Sequence, residues 1–502
     1  MSYPYYNANT PIYLAIASVV FIAMGIILHI ASKKQIKVPK LACIATLFAF
    51  LAIRIYIAYK TESHADMTTF FLPWSYKLAN SNFFEFYLAD VATGEIEYLN
   101  DYPPMLMYVL YGIGKIAVKL NLSYDMWVFL MQIPAIICDV VASYYILKIA
   151  IAIENSKIQA PIAFESRKSR TKIESATQKE SKESKGNKEG KESNLSITLA
   201  NMPKKVSMFA FSCMVMYLAN IAMITDSAWW GQVDGVIAMF FAITIYNVYV
   251  KKDTAVVVTA IVALCFKLQY IFFMPALGMY YIVRLIKEKK ELFAKLLKGV
   301  VVGGVIFVAV NLPLCILPMT SGHPFFMIEI YINQVSNYAY YTLNAPNLFG
   351  ALNLNFIDLP NNGTAWTLFV IGGISVVVAI LSFCKNPKEE ISILGALTII
   401  TVFMFSYKMH ERYMIYALIL LLIVYIQSGK LADLMVYCTF TAVQFYTIAS
   451  IMCIDGSTFN FYDKRLQIIS IICLTLYLGY VILISQAEVT ARKSQLNKTL
   501  KK

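Results

Sequence analysis

Apolar runs near the length of a membrane-spanning helix recur along the chain, separated by short polar segments. They occupy Pro11 to Ile30, Leu41 to Tyr59, Met126 to Ile153, Val206 to Ile224 and Val233 to Val250. They continue at Leu297 to Pro318, Thr364 to Cys384, Ile391 to Tyr407, Tyr413 to Gln427, Leu431 to Met452 and Leu466 to Gln486. A spanning helix needs roughly 20 predominantly apolar residues, and most of these runs approach that length. Between Thr254 and Ile286 the pattern is interrupted by Lys267 and Gln269, which predicts two crossings that meet at a polar break. The expected fold is an all-α polytopic transmembrane bundle of about thirteen membrane helices. One further segment, Met105 to Leu120, follows Pro103 and Pro104 and contains two glycines and two lysines. It predicts a helix lying at or dipping into the outer interface of a large first outer loop.

Composition supports this class. Of 502 residues, 59% are hydrophobic and 15% charged, against about 25% charged in an ordinary soluble domain. The first apolar run is too long and too weakly basic at its start for a cleavable signal peptide, so it is read as a membrane helix. All nine cysteines fall in apolar runs without metal-ligand spacing, which gives neither a disulfide framework nor a zinc site; no metal or cofactor is expected.

Lysine and arginine gather in Ser32 to Lys40, Asn155 to Lys205, at Lys251 and Lys252, from Arg284 to Lys298, around Lys385 and Lys388, and after Arg492. The positive-inside rule makes these segments cytoplasmic and puts the amino terminus outside. The organisation that follows is residues 1–153 as the first membrane helices with an outer loop at 60–104, then a disordered basic cytoplasmic linker at 154–205. Residues 206–486 carry the rest of the bundle and 487–502 a basic tail. The formal net charge of +13 suits anionic lipid headgroups and gives no reason to invoke nucleic acid.

This topology collects polar residues at one rim, as expected of a site between helices. Asp66 stands in the first outer loop ahead of Phe70, Phe71 and Trp74. It can serve as a partly desolvated general base or as a helix cap. Asp101, in Asn100-Asp101-Tyr102-Pro103-Pro104, reads first as a cap or turn former. Asp226, Gln232 and Asp234, around Trp229-Trp230-Gly231, offer acceptors and an amide suited to sugar hydroxyls. Lys267, two residues before Gln269, needs an anionic partner: Asp226, Asp234 or a ligand phosphate. Asn344 lies in a Tyr- and Asn-rich outer loop. His410, Glu411 and Arg412 sit between two apolar runs, where lipid-facing structure tolerates no such cluster. The guanidinium fork of Arg412 matches a phosphate and His410 can donate to a leaving-group oxygen, while a pairing that only holds the bundle is the alternative.

The set resembles the GT-C glycosyltransferases, polytopic enzymes that use polyprenyl-phosphate-linked sugars, and within them the dolichyl-phosphate-glucose-dependent glucosyltransferases and a group of bacterial relatives. The resemblance rests on Asp66, on Asp101 to Pro104, on Trp230-Gly231-Gln232-x-Asp234, on Lys267-x-Gln269, on Tyr341 to Leu348 and on His410-Glu411-Arg412-Tyr413, and spans residues 60 to 415. Relatives often carry a proline shortly after the last string, where this chain has Met414, Ile415 and Tyr416. The resemblance implies a hexosyltransferase at the non-cytoplasmic face, in a bacterial plasma membrane, acting on a glycan, lipid or protein acceptor. In it Asp66 is the base. Lys267, His410 and Arg412 bind donor phosphate, and Asp101, Asp226, Gln232, Asp234, Gln269, Asn344 and Glu411 orient sugar or acceptor. A lipid-linked glycan flippase or other transporter is the rival, favoured by the break at Lys267.

Overall fold

The computed structural model describes residues 9–61, 66–88, 102–174, 202–336, 338–360, 363–384, 387–453 and 464–500, nearly all of them helical. In chain order the α-helices are α1 (Thr10–Ser32), α2 (Lys40–Lys60), α3 (Leu72–Asn80), α4 (Pro104–Lys119), α5 (Tyr124–Glu174) and α6 (Met208–Leu218). They continue as α7 (Ile221–Ile224), α8 (Asp234–Tyr249), α9 (Asp253–Phe266), α10 (Met274–Thr320), α11 (Phe326–Ser336) and α12 (Leu348–Ala351). Last come α13 (Thr364–Cys384), α14 (Pro387–Phe405), α15 (Ile415–Ser428), α16 (Leu431–Cys453) and α17 (Lys464–Leu500).

Among the described residues seven helical stretches are long and apolar enough to cross a membrane, and an eighth is reached if α6 and the bent segment Ile221–Trp230 count as one. Four of the expected crossings are instead helices of 10–17 residues, α8, α9, α15 and residues Glu390–Phe405 of α14. Their shortness follows from the site: each of these helices stops or starts at a polar segment that bends toward a common cavity. The stretch Leu268–Thr320 is broken at Lys289, whose φ of 48° and ψ of −123° are not helical.

Burial sorts the helices by position. Every residue of α15 from Ile415 to Ile426 is buried, and α8 is buried on nearly all sides. A helix apolar all round belongs at the centre of a bundle. By contrast α1, α2 and α13 turn residues such as Val19, Leu41 and Phe369 outward, each more than 60% exposed. An exterior of that kind is what a hydrocarbon surround requires and what water penalises.

Two short ribbons mark the two ends. Lys37–Pro39 (β1) pairs antiparallel with Lys205–Ser207 (β2), and Lys33 Nζ donates to Gly429 O at 3.2 Å, so three basic turns meet at one end. At the other, Thr342–Leu343 (β3) pairs in parallel with Met409–His410 (β4). A helix does form over the segment expected at Met105 to Leu120: it is α4, packed against α3. The linker expected from residue 154 is helical as far as Glu174, because α5 runs on past the charged residues that were expected to end it. Its last residues join β2, and residues 175–201 lie outside those described.

Candidate functional site

The site is built around α15, whose central position fixes the segment that precedes it. Immediately before α15 the chain leaves α14 at Phe405, runs through β4 and presents Glu411, Arg412 and Tyr413 in a tight turn closed by Tyr413 N donating to His410 O at 3.1 Å. The β3 pairing holds this turn from the side, with Glu411 N donating to Leu343 O at 3.1 Å. Asn344 follows β3 with φ of 56°, a left-handed conformation that asparagine tolerates better than most residues. It is locked by Asn355, whose Oδ1 accepts from Asn344 N at 2.7 Å and whose Nδ2 donates to Asn344 Oδ1 at 2.9 Å.

The Trp-Gly-Gln turn enters from the opposite wall. Thr225–Trp230 forms a π-helical turn that ends at Gly231, with φ of 87°. That conformation favours glycine, and a side chain at Gly231 would also meet Met67 Sδ at 2.8 Å and have to displace it. The turn sends Gln232 to Asp66: Gln232 Nε2 donates to Asp66 Oδ2 at 2.7 Å. Asp66 stands at the start of a second π-helical turn, Met67–Phe71, but has helical φ and ψ and makes no side-chain cap bond. The cap reading of Asp66 is therefore not how the carboxylate is used.

These walls enclose a cavity of about 300 Å³. Asp66, Gln232, Lys267, Gln269, Asn344, His410, Glu411 and Arg412 all line it. Asp226 and Asp234 do not. Both are fully buried below the floor, where Asp234 takes up the charge of the two cations above it. Lys267 Nζ lies 2.5 Å from Asp234 Oδ1, Arg412 Nε lies 3.4 Å from its Oδ2, and Tyr416 donates its hydroxyl to the same carboxylate. Lys267 thus has its ion pair within the protein and still borders the cavity. Asp226 is buried with no hydrogen-bond partner on either carboxylate oxygen. Asp101 lies outside the described residues.

Arg412 is the hub. Its Nη1 lies 2.7 Å from Glu411 Oε1 and 3.9 Å from Asp66 Oδ2, and its guanidinium lies over the Trp230 ring at 5.3 Å. Trp230 is therefore a wall of the site. Burial pushes the Glu411 carboxyl above its usual range, opposed by Arg412. Burial also pushes the His410 imidazole well below its usual value of 6.5, and Arg412 and Lys267 act in the same direction. His410 is accordingly neutral near pH 7, with one N–H to donate and one nitrogen to accept.

No protein-family model matches this chain, and no curated protein matches it. The site therefore stands on its own geometry.

Sequence reasoning passed over several participants. Tyr102 hydroxyl donates to Gln232 Oε1 at 3.5 Å, which fixes the amide orientation that points Nε2 at Asp66. Tyr413 accepts from Gln269 Nε2 at 2.9 Å, and Gln444 Nε2 in α16 donates to Glu411 O at 2.7 Å. The signal for Gln444 was present, an amide inside the apolar run Leu431 to Met452. Exposed His323 pairs with Glu329 at 3.1 Å and is not among the residues that line the cavity.

Proposed function

We propose that this chain is an integral membrane glycosyltransferase that moves a hexose from a polyprenyl-phosphate donor to a glycan, lipid or protein acceptor, with inversion. The observation that carries the reading is the convergence of residues from five separated segments, Asp66, Gln232, Lys267, Asn344 and the 410–412 turn, on one cavity at a single end of the bundle. The opposite end gathers the basic turns at Lys33, Lys37 and Lys205. By the positive-inside rule that end is cytoplasmic, and the cavity then faces the other side, where lipid-linked sugars serve as donors.

In this reading the acceptor hydroxyl oxygen attacks the anomeric carbon while the bond from that carbon to the phosphate oxygen breaks. The electron pair leaves with the polyprenyl phosphate and the acceptor proton passes to Asp66. Gln232 holds Asp66 by one oxygen and leaves the carboxylate facing the cavity. Arg412 and Lys267, fixed in advance by Asp234, supply positive potential as charge grows on the leaving phosphate, and preorganised charge of this kind needs no reorganisation during the reaction. Neutral His410 supplies a hydrogen bond to the same oxygens. Asn344, Gln269 and Glu411 are placed to orient sugar hydroxyls.

The test is mass spectrometry of membrane glycolipids, surface polysaccharide and glycoproteins from cells lacking this protein, complemented with wild type or Asp66→Asn. A glycan missing one hexose and restored by wild type alone is expected. Full restoration by Asp66→Asn, or a complete lipid-linked glycan retained on the cytoplasmic side, would turn the assignment toward transport.

A further inference from the structure

Lys148 is a cation in α5 that the polar cavity does not use. It is 6% exposed, and among the described residues no carboxylate pairs with it and no acceptor meets its ammonium. What surrounds it is aromatic: Nζ lies 3.9 Å from the ring centre of Tyr246 in α8, and 4.2 and 5.3 Å from those of Tyr145 and Tyr144. Ring faces attract the charge, yet they leave the three N–H donors without oxygen acceptors. The Tyr144 hydroxyl is likewise buried with no hydrogen-bond partner. A charged donor and a neutral one are thus left unsatisfied side by side, a combination that a folded interior seldom keeps without a use.

Their position narrows what can satisfy them. Glu154 Oε2 accepts from Ser207 Oγ at 2.7 Å, which ties α5 to β2 at the basic end of the bundle. Lys148 stands six residues before Glu154, about 9 Å along the helix. By the positive-inside rule that level is the cytoplasmic rim of the hydrocarbon. Ile137, 47% exposed on the outside of the bundle, precedes Lys148 in the same helix. Their spacing is about three helical turns, so the two share one face of α5, and Tyr144 and Tyr145 between them are partly exposed. The charges around this place are positive. Lys251 and Lys252 are exposed in the turn after α8, and the field of Lys252 acts on Lys148. The acid next in that turn, Asp253, is engaged elsewhere: Arg284 Nη2 donates to its Oδ2 at 3.2 Å and the Tyr281 hydroxyl to its Oδ1 at 3.3 Å.

We propose that Lys148 and the Tyr144 hydroxyl bind the phosphate of an anionic phospholipid in the cytoplasmic leaflet, at the groove between α5 and α8. A phosphate oxygen is the acceptor both donors lack, and a charge-assisted bond of this kind is the strong class of hydrogen bond. The flanking lysines favour a headgroup of net negative charge over a zwitterionic one. The bilayer is the source, because the donors lie on the face of α5 that Ile137 turns toward lipid. This site is at the opposite end of the bundle from the polar cavity and does not depend on the transferase reading.

The experiment uses the full chain in nanodiscs of phosphatidylcholine with or without phosphatidylglycerol, reading the thermal midpoint, and native mass spectrometry of the lipid retained after release. Wild type should retain phosphatidylglycerol and gain stability from it. Lys148→Met should lower that retention about tenfold, the scale of a lost charge-assisted hydrogen bond, while Lys148→Arg keeps most of it and Tyr144→Phe lowers it by a smaller factor. In phosphatidylcholine alone the midpoint of Lys148→Met should equal or exceed that of wild type, since the variant carries no unpaired charge, so a folding defect is distinguishable from a lost lipid. Equal retention by wild type and Lys148→Met, or equal retention of phosphatidylcholine and phosphatidylglycerol by wild type, overturns the proposal. Inorganic phosphate or glycerol phosphate that raises the wild-type midpoint as much as the lipid does would overturn the lipid as the source.

Discussion

Gln232 sits between the proposed base and the wall that positions it, donating to Asp66 while accepting from Tyr102. A hydrogen bond to a charged group contributes about 1.5–3 kcal/mol, so Gln232→Leu should lower kcat roughly 10- to 100-fold. Because the amide touches Asp66 and the role proposed for it is orientation, KM for the donor should change little; a variant with raised KM and normal kcat would reassign Gln232 to substrate binding. His410 makes a second prediction at this scale, with a defined sign. Its folded pKa is depressed below the unfolded value near 6.5, so the folded state binds fewer protons there. The stability that the neutral imidazole allows is fully present above that value and is lost as the pH falls through the window below it. The thermal midpoint of the wild type should therefore drop on acidification below about pH 6.5 more than that of His410→Gln, which keeps a neutral donor and acceptor without the titration. Parallel curves for the two proteins would show that His410 does not titrate as its burial requires.

The β3–β4 clip is the element that joins two stretches 67 residues apart, pairing Thr342 with Met409 and Leu343 with His410. Its brace is the Asn344–Asn355 pair, two hydrogen bonds across an asparagine in the left-handed region. Asn355→Ala removes both bonds and leaves a buried backbone N–H and side-chain oxygen on Asn344 unpaired, at about 1–3 kcal/mol for such a loss. Proteolysis within 338–359 should become faster and donor KM should rise, since the clip sets both Asn344 and His410; unchanged proteolysis would show that the brace is redundant. The two partners differed in how visible they were beforehand. Trp230-Gly231-Gln232 and His410-Glu411-Arg412 are legible because polar residues in short order between apolar runs have few physical excuses. Their pairing partners are not, because a two-residue strand carries no period and its partner lies far along the chain. Lys267 shows the same limit: sequence leaves Asp226, Asp234 and phosphate open, and only the 2.5 Å contact separates them.

At the scale of the whole molecule, the floor of the site rests on a buried ion pair that hydropathy hides. Arg54 lies inside the apolar run of α2 and is fully buried, with Nη1 2.8 Å from Asp139 Oδ2 in α5 and Nη2 donating to Leu218 O at the end of α6 at 3.1 Å. The further partners of Asp139 show what the pair does. Ser227 Oγ donates to the same oxygen at 2.5 Å, so the pair grips the π-helical turn that carries Trp230 and leads to Gln232. Gly235 completes the packing, since a side chain there would meet Asp139 Oδ1 at 2.7 Å. Removing one member of a buried pair strands the other charge at a cost of about 3–5 kcal/mol, whereas replacing both with apolar groups is often neutral. Arg54→Leu and Asp139→Leu should each depress the thermal midpoint sharply, and the double variant should recover much of the loss. If the pair only holds the bundle, activity should recover with stability. If it positions the turn, the double variant should regain stability while kcat stays low, because Ser227 has lost the acceptor that aligns the route from Asp139 through Trp230 and Gln232 to Asp66. The second outcome is expected, since Ser227 ties the pair directly to that turn, and measuring stability and kcat on the same double variant separates the two.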